Sequence, residues 1–302
     1  MSSPDDAQTQ DQLTQAQLAA IENEIKSSQP LTSQLLPISA LLNQYSATAN
    51  NDENTNEQQE SAGFVKSAQF LSTKYTSLRR VRGDGNCYYR AFLYSLCEHL
   101  LLQNNSNNVV SKEFSRIKTT IVNSLKWVCQ FGYEEMTIDM FHEELVELFD
   151  FIETSLNNAD NGKSVETVKN ELHVKLNEEN STSDYCTWYL RVLTAAQMKS
   201  NPDRFLPFLL TDEINGMMDI PTFCSREVEP MGKECGMVTV AALAECLGVK
   251  VVIEYMDGRL SDSASGEVVN HVFGHIDGEN GEEKDGMCVT LLYRPGHYDI
   301  LY

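Results

Sequence analysis

RGDGNCYYRAFLYSL, residues 82–96, sets Gly83, Asp84, Gly85 and Asn86 directly before a cysteine and an abruptly apolar run. Gly, Asp and Asn favour turns, and the apolar run is compatible with a helix, so a turn feeding a helix that opens at Cys87 is predicted. That element has two readings. In the first, Asn86 or Asp84 caps the helix and Cys87 is a small packing residue, as most buried cysteines are. In the second, Cys87 is a nucleophile whose thiolate is favoured by the positive end of the helix dipole. The turn would then offer backbone N–H groups without intrahelical partners to a developing oxyanion. Asp84 would shape the turn through its side chain and aim its own N–H at the reacting oxygen.

A cysteine nucleophile needs a base, and the base needs an orienting group. Of the six histidines, His99 falls in the helical run after Cys87, and His142 and His173 lie in amphipathic stretches. His271 and His275 stand four apart in a strand-and-turn segment with no further ligand evident, so no metal site is expected. His297 lies in LLYRPGHYDILY, where a strand is broken by Pro295-Gly296 and resumes to the C-terminus. Alternate residues of a strand share a face, which predicts His297 and Asp299 on one side and Tyr298 on the other. A carboxylate so placed can hold the imidazole tautomer and stabilise the imidazolium.

The chain has 302 residues, enough for one large domain or two small ones, and 44 acidic against 23 basic side chains give a net charge of −21. Nucleic acid and anionic membranes are disfavoured as partners, because both are polyanions that Lys and Arg must neutralise. No run approaches the roughly 18 apolar residues of a membrane span. The start, MSSPDDAQTQ, lacks the basic and apolar regions of a secretory signal, and none of the eight cysteines forms a C-x-x-C pair. A cytoplasmic setting, extending to the nucleus, with free thiols is therefore expected.

Residues 1–62 are polar and carry a single lysine, Lys26. Leu13, Leu18, Ile21 and Ile25 recur at helical spacing, and SQLLPISALLNQY is a second, shorter helix candidate. The first island reads as a helix packed on the main domain or as an arm that folds against a partner. Residues 1–45 are thus expected to form a partly helical arm, 46–62 a flexible polar linker and 63–302 the catalytic domain. Removing residues 1–45 is then expected to leave the reaction centre intact. From Gly63 to about Leu247 the pattern is mostly helical. Beyond Gly248, VKVVIEYM, EVVNHVF, MCVTLLY and HYDILY are short β-branched or aromatic runs between turns. The predicted class is α+β, helix-rich, with a small sheet built mainly by the C-terminal quarter.

GDGNCYYRAF resembles the signature of the ovarian-tumour (OTU) family of deubiquitinating cysteine proteases. STSDYCTWYLRVLTAA, EVEPMGKECG, VVIEYMD and LLYRPGHYDILY are similar, in order, to the otubain branch. The resemblance implies a papain-like OTU fold, a mixed sheet, and hydrolysis of isopeptide bonds after the C-terminal glycine of ubiquitin. By motif it makes Cys87 the nucleophile, His297 the general base, Asp299 its orienting group and Asp84 the loop residue serving the oxyanion hole. It implies ubiquitin and polyubiquitin chains as partners, with a preference for the linkage that marks proteins for the proteasome. It also implies a second role, restraint of ubiquitin-conjugating enzymes by binding without catalysis. No cofactor and no metal are implied. Tyr255, Asp257, Tyr293 and Tyr298 resemble otubain positions near the distal ubiquitin and are expected to line the channel for its C-terminal tail. NNADNGKS and HVFGHIDGENGEEKDG look longer than the branch requires, which bears on loop-borne specificity.

Overall fold

The computed structural model describes residues 10–49, 55–103, 111–157, 164–209, 218–258, 267–274 and 287–302. In chain order these form α1 (Gln10–Ser28), β1 (Leu36–Pro37), α2 (Ser39–Ala49), α3 (Thr55–Lys74), β2 (Ser77–Arg79) and α4 (Cys87–Gln103). There follow α5 (Lys112–Val128), α6 (Glu135–Asn157), α7 (Val165–Lys175), α8 (Thr182–Ser200), α9 (Pro202–Leu209) and α10 (Ile220–Phe223). Next come a π-helical turn (Cys224–Val228), α11 (Met237–Leu247), β3 (Lys250–Tyr255), β4 (Val269–Phe273), β5 (Cys288–Arg294) and β6 (His297–Leu301).

The predicted helix start at Cys87 is the start of α4, and every residue from Cys87 to Glu98 is buried. A helix buried on all sides belongs to the interior rather than to a surface layer. Helix α5 is its amphipathic counterpart: Phe114, Ile117, Ile121, Ser124 and Val128 are buried at three- and four-residue steps, and Ser111 caps the first turn through the Phe114 N–H. Helices α4, α5, α6, α8 and α11 pack around one large core.

The sheet runs β1-β2-β6-β5-β3-β4, with β3 and β5 parallel and every other pair antiparallel. Its two-residue side-chain period serves two layers. Val289, Leu291, Tyr298 and Ile300 point into the large core around α4, whereas Leu292 and Leu301 enter a second core with Ile38, Leu41, Ala68 and Leu71. The β5–β6 hairpin closes through Pro295 and Gly296, the latter at φ +74°. Proline followed by a left-handed glycine is the pair that a type II turn requires.

The sheet is built mainly by the C-terminal quarter, as expected, and β1 and β2 from the N-terminal third complete one edge. The division at residues 45 and 62 is corrected. SQLLPISALLNQY splits into β1 and α2, and the described part of the expected linker, residues 46–49 and 55–62, is helical. Leu31, Ile38 and Leu41 are between 1% and 8% exposed, so residues from Leu31 onward belong to the folded core rather than to a detached arm. Composition concealed this because the apolar residues are few and are completed by α3 and the far side of the sheet. The stretches 158–163 and 275–286, which include most of the two suspected loop insertions, lie outside the described residues.

Candidate active site

Cys87 begins α4 and is 2% exposed, at the end of the helix where backbone N–H groups lack intrahelical acceptors. The β5–β6 turn brings His297 to it, and thiol and imidazole are within hydrogen-bond reach. His297 Nε2 lies 2.9 Å from Asp299 Oδ1, which leaves Nδ1 as the ring nitrogen for the thiol. The shared face of His297 and Asp299 therefore carries a Cys–His–Asp line. Asp299 is fully buried; its Oδ1 also accepts the Val81 N–H at 3.0 Å, and its Oδ2 pairs with Arg294.

Burial alone would disfavour the imidazolium of His297. Hydrogen bonds that the ring makes to Asp299 and Cys87, together with the negative charge of Asp299, outweigh it and push the imidazole up to about 9. Burial likewise disfavours the Asp299 carboxylate, but His297, Arg294 and the Val81 N–H hold it below its ordinary value. The arrangement thus favours a charged Asp299–His297 pair facing the sulfur. Because the folded-state value of His297 exceeds the ordinary 6.5, its pairing stabilises the fold fully below about pH 6.5 and ceases to do so as pH rises through about 9. For hydrolysis, the alkaline limb of kcat/KM should fall near pH 9. Asp299→Asn should move that limb to lower pH and lower the plateau at least about 100-fold, since the tautomer is no longer fixed. A pH profile with a ubiquitin–fluorophore amide reads both; an unmoved limb would contradict the pairing.

The turn before Cys87 is braced at both ends. Asp84 Oδ1 accepts the Asn86 N–H at 3.0 Å and Oδ2 pairs with Arg90, whose other arm reaches Asp184 on α8 at 2.7 Å. Asp84 therefore shapes the turn through its side chain, as expected. Its own N–H does not face a substrate: it donates to Arg82 O at 3.1 Å. Among the described residues the Gly85 and Cys87 N–H groups, which flank the Asn86 N–H, have no acceptor and stand available to an oxyanion.

The four residues expected to bind the ubiquitin tail divide. Register aligns Tyr255 with Tyr293 and Tyr293 with Tyr298 across β3, β5 and β6, giving a row of rings with centroids 4.7 and 5.0 Å apart. Tyr255, Asp257 and Tyr293 are half-buried and accessible on that side of the sheet. Tyr298 is 1% exposed, packs against Tyr88 of α4 and donates to Cys235 O at 3.0 Å, so it cannot wall a channel. Strand alternation puts His297 and Asp299 on one face of β6 and Tyr298 on the other, against α4. Tyr298→Ala should therefore cost about 3–5 kcal/mol of stability by cavity formation, measured by denaturant unfolding, rather than raise KM alone.

Three other histidines have structural partners, His271 stacks edge-on against Tyr255, and His275 lies outside the described residues. His99 and His142 bond the Ser95 and Ile121 carbonyls, and His173 bonds Tyr94. Among the described residues no group of His, Cys, Asp and Glu has metal-binding geometry, and no helix is long and apolar enough to cross a membrane. Arg90, Asp184, Arg191 and Arg294 were missed by sequence reasoning. Arg90 stands inside the opening motif, one helical turn after Asn86. Arg191 was legible only as a lone charge in the apolar run YLRVL.

A cysteine on a helix N-terminus, a histidine on a strand and a buried carboxylate behind it define a papain-type thiol hydrolase. The model of the Peptidase C65 Otubain family matches residues 24–302, and the chain belongs to that family. It is 36% identical over 292 residues to human ubiquitin thioesterase OTUB1, covering 97% of this chain and 90% of the relative. It is 34% identical over 242 residues to the Arabidopsis thaliana OVARIAN TUMOR DOMAIN-containing deubiquitinating enzyme 1, covering 79% and 74%. Among solved structures it is similar to h/ceOTUB1 in complex with ubiquitin aldehyde and UBC13~Ub, with a TM-score of 0.73, 29% identity, and 97% and 98% of the two chains covered. The h/ceOTUB1–ubiquitin aldehyde–UBCH5B~Ub complex matches with a TM-score of 0.72. The protein is a cysteine-type deubiquitinase.

Proposed function

We propose that Cys87 attacks the carbonyl at the C-terminal glycine of ubiquitin in an isopeptide bond, with His297 as general base and then acid, and Asp299 as its orienting group. The observation that carries this is the Cys87–His297–Asp299 line, with Nε2 of His297 fixed at 2.9 Å from the carboxylate. The imidazole takes the thiol proton and later returns it to the leaving lysine amine; water then releases ubiquitin from the thioester. The Gly85 and Cys87 N–H groups stabilise the tetrahedral oxygen. Tyr255, Asp257 and Tyr293 line the path of the ubiquitin tail. Preference for the proteasome-signal linkage is supported by the otubain resemblance. A reducing cytoplasmic or nuclear setting is supported by the eight unpaired cysteines.

A ubiquitin-propargyl probe should label the wild-type chain and not Cys87→Ala; a folded wild-type sample that stays unlabelled would refute the assignment. A panel of di-ubiquitins reads the linkage.

A second role is favoured by the likeness to complexes containing UBC13~Ub and UBCH5B~Ub. In that reading the chain binds charged ubiquitin-conjugating enzymes and restrains them without cleavage. Cys87→Ala should then still suppress ubiquitin-chain synthesis in a reconstituted reaction, whereas an effect that needs proteolysis disappears with the thiol.

A further inference from the structure

Arg191, on α8, is 1% exposed and directs its guanidinium at the turn that carries Cys87. Nη2 donates to Gly85 O at 2.9 Å, to Asn86 Oδ1 at 2.8 Å and to Lys233 O at 2.7 Å, while Nη1 donates to Val228 O at 2.9 Å. The plane lies over Tyr89, 4.5 Å from the ring centroid. Asn86 Oδ1 also accepts the Gly232 N–H at 2.9 Å, so one guanidinium and one side-chain amide bind the catalytic turn to the segment from Val228 to Lys233.

All four acceptors are neutral. A buried cation without a carboxylate is costly, and such groups are normally paired. Asp84 and Cys87 lie within electrostatic reach of Arg191, but the Asp84 carboxylate is already engaged by Arg90. The positive charge is therefore left for the place where negative charge develops, the thiolate and the tetrahedral oxygen. Geometry adds a second effect. In a trans peptide the C=O and N–H point in opposite directions. The Gly85–Asn86 unit is thus held at its oxygen by Arg191 and at its N–H by Asp84. Fixing that plane fixes the two flanking units, which bear the Gly85 and Cys87 N–H groups.

We propose that Arg191 is the positioning residue of the oxyanion hole, locking the Gly85–Asn86 peptide and the Val228–Lys233 segment into the geometry that receives the tetrahedral intermediate. The inference rests on the thiol-hydrolase reading above. Its test uses the full chain with Arg191→Met and Arg191→Lys, a ubiquitin–fluorophore amide for kcat and KM, ubiquitin aldehyde as the tetrahedral mimic and free ubiquitin as the ground-state ligand. For Arg191→Met, kcat should fall about 100-fold with KM within about threefold, since a displaced catalytic group costs about that much. Ubiquitin aldehyde should lose the same factor while ubiquitin keeps its affinity. Arg191→Lys, which retains the charge but not the four-acceptor fork, should fall between wild type and Met. Should Arg191→Met fail to fold, Arg191→Lys and Asn86→Ser, which removes the shared acceptor but keeps a capping oxygen, are read for the same aldehyde-to-ubiquitin ratio. A kcat within threefold of wild type, or equal weakening of aldehyde and ubiquitin, overturns the proposal. Inactivity of the wild-type chain toward the amide would instead overturn the hydrolase reading.

Discussion

Deletion of residues 1–45 is expected to abolish labelling of Cys87 by a ubiquitin-propargyl probe, whereas deletion of residues 1–24 leaves it within about twofold of the full chain. The longer cut removes Leu31, Ile38 and Leu41 from the core, each contributing about 2 kcal/mol by burial. Against a total stability of about 5–15 kcal/mol, that loss is decisive. It also removes β1, which pairs with β2, and the Thr32 bridge to Val81, whose N–H supports Asp299. Arg82 anchors the same segment through the Lys26 and Gln29 carbonyls at 3.2 and 2.6 Å, next to the catalytic turn. The shorter cut spares all of these contacts and removes the part of α1 that includes Ile21, 54% exposed. A lowering of the melting temperature by at least about 12 °C should accompany the longer cut, at 2–4 °C per kcal/mol. Normal labelling after removal of 1–45 would show that the core closes without the N-terminal segment. Labelling lost with 1–24 would place the catalytic brace in α1 itself.

The second large effect is expected from Gly85→Ala. Gly85 has φ +76°, and a Cβ there would come within 2.0 Å of the Gly232 carbonyl oxygen. The backbone has no room to yield without moving the turn away from Gly232, Asn86 and Arg191. The N–H donors of the oxyanion hole would shift with it, so kcat should fall at least about 100-fold, in the range seen for loss of one such donor. Gly132 provides the control. It too has a positive φ, +93°, but a Cβ there meets nothing within 4 Å. Gly132→Ala should therefore cost only the left-handed strain, about 1–2 kcal/mol, and leave kcat unchanged. Steady-state kinetics and thermal melts on the two variants separate backbone strain from close approach. Near-wild-type turnover in Gly85→Ala would mean that the turn is not rigid.

Much of the site was written locally. A turn of Gly, Asp, Gly and Asn before an apolar helix can be read from a few residues, because φ preference and helix capping act over one or two turns of chain. Strand alternation placed His297 and Asp299 on one face for the same reason: the period belongs to the backbone. What these rules do not reach is partnership across the chain. That Cys87 meets His297, that Tyr298 turns into the α4 core instead of lining a channel, and that residues 31–45 complete a core are set by β-sheet register and helix packing. Arg191 is the sharpest case. The sequence showed one cation among apolar residues of a helix, with no carboxylate at a neighbouring helical position to explain it. Only the folded chain brings the Gly85, Lys233 and Val228 carbonyls and the Asn86 amide around it. The sequence by itself determined the elements and the local chemistry of the cysteine turn and the histidine strand. The tertiary structure decided which polar groups face one another, because those contacts depend on how distant elements pack and not on the preferences of any short stretch.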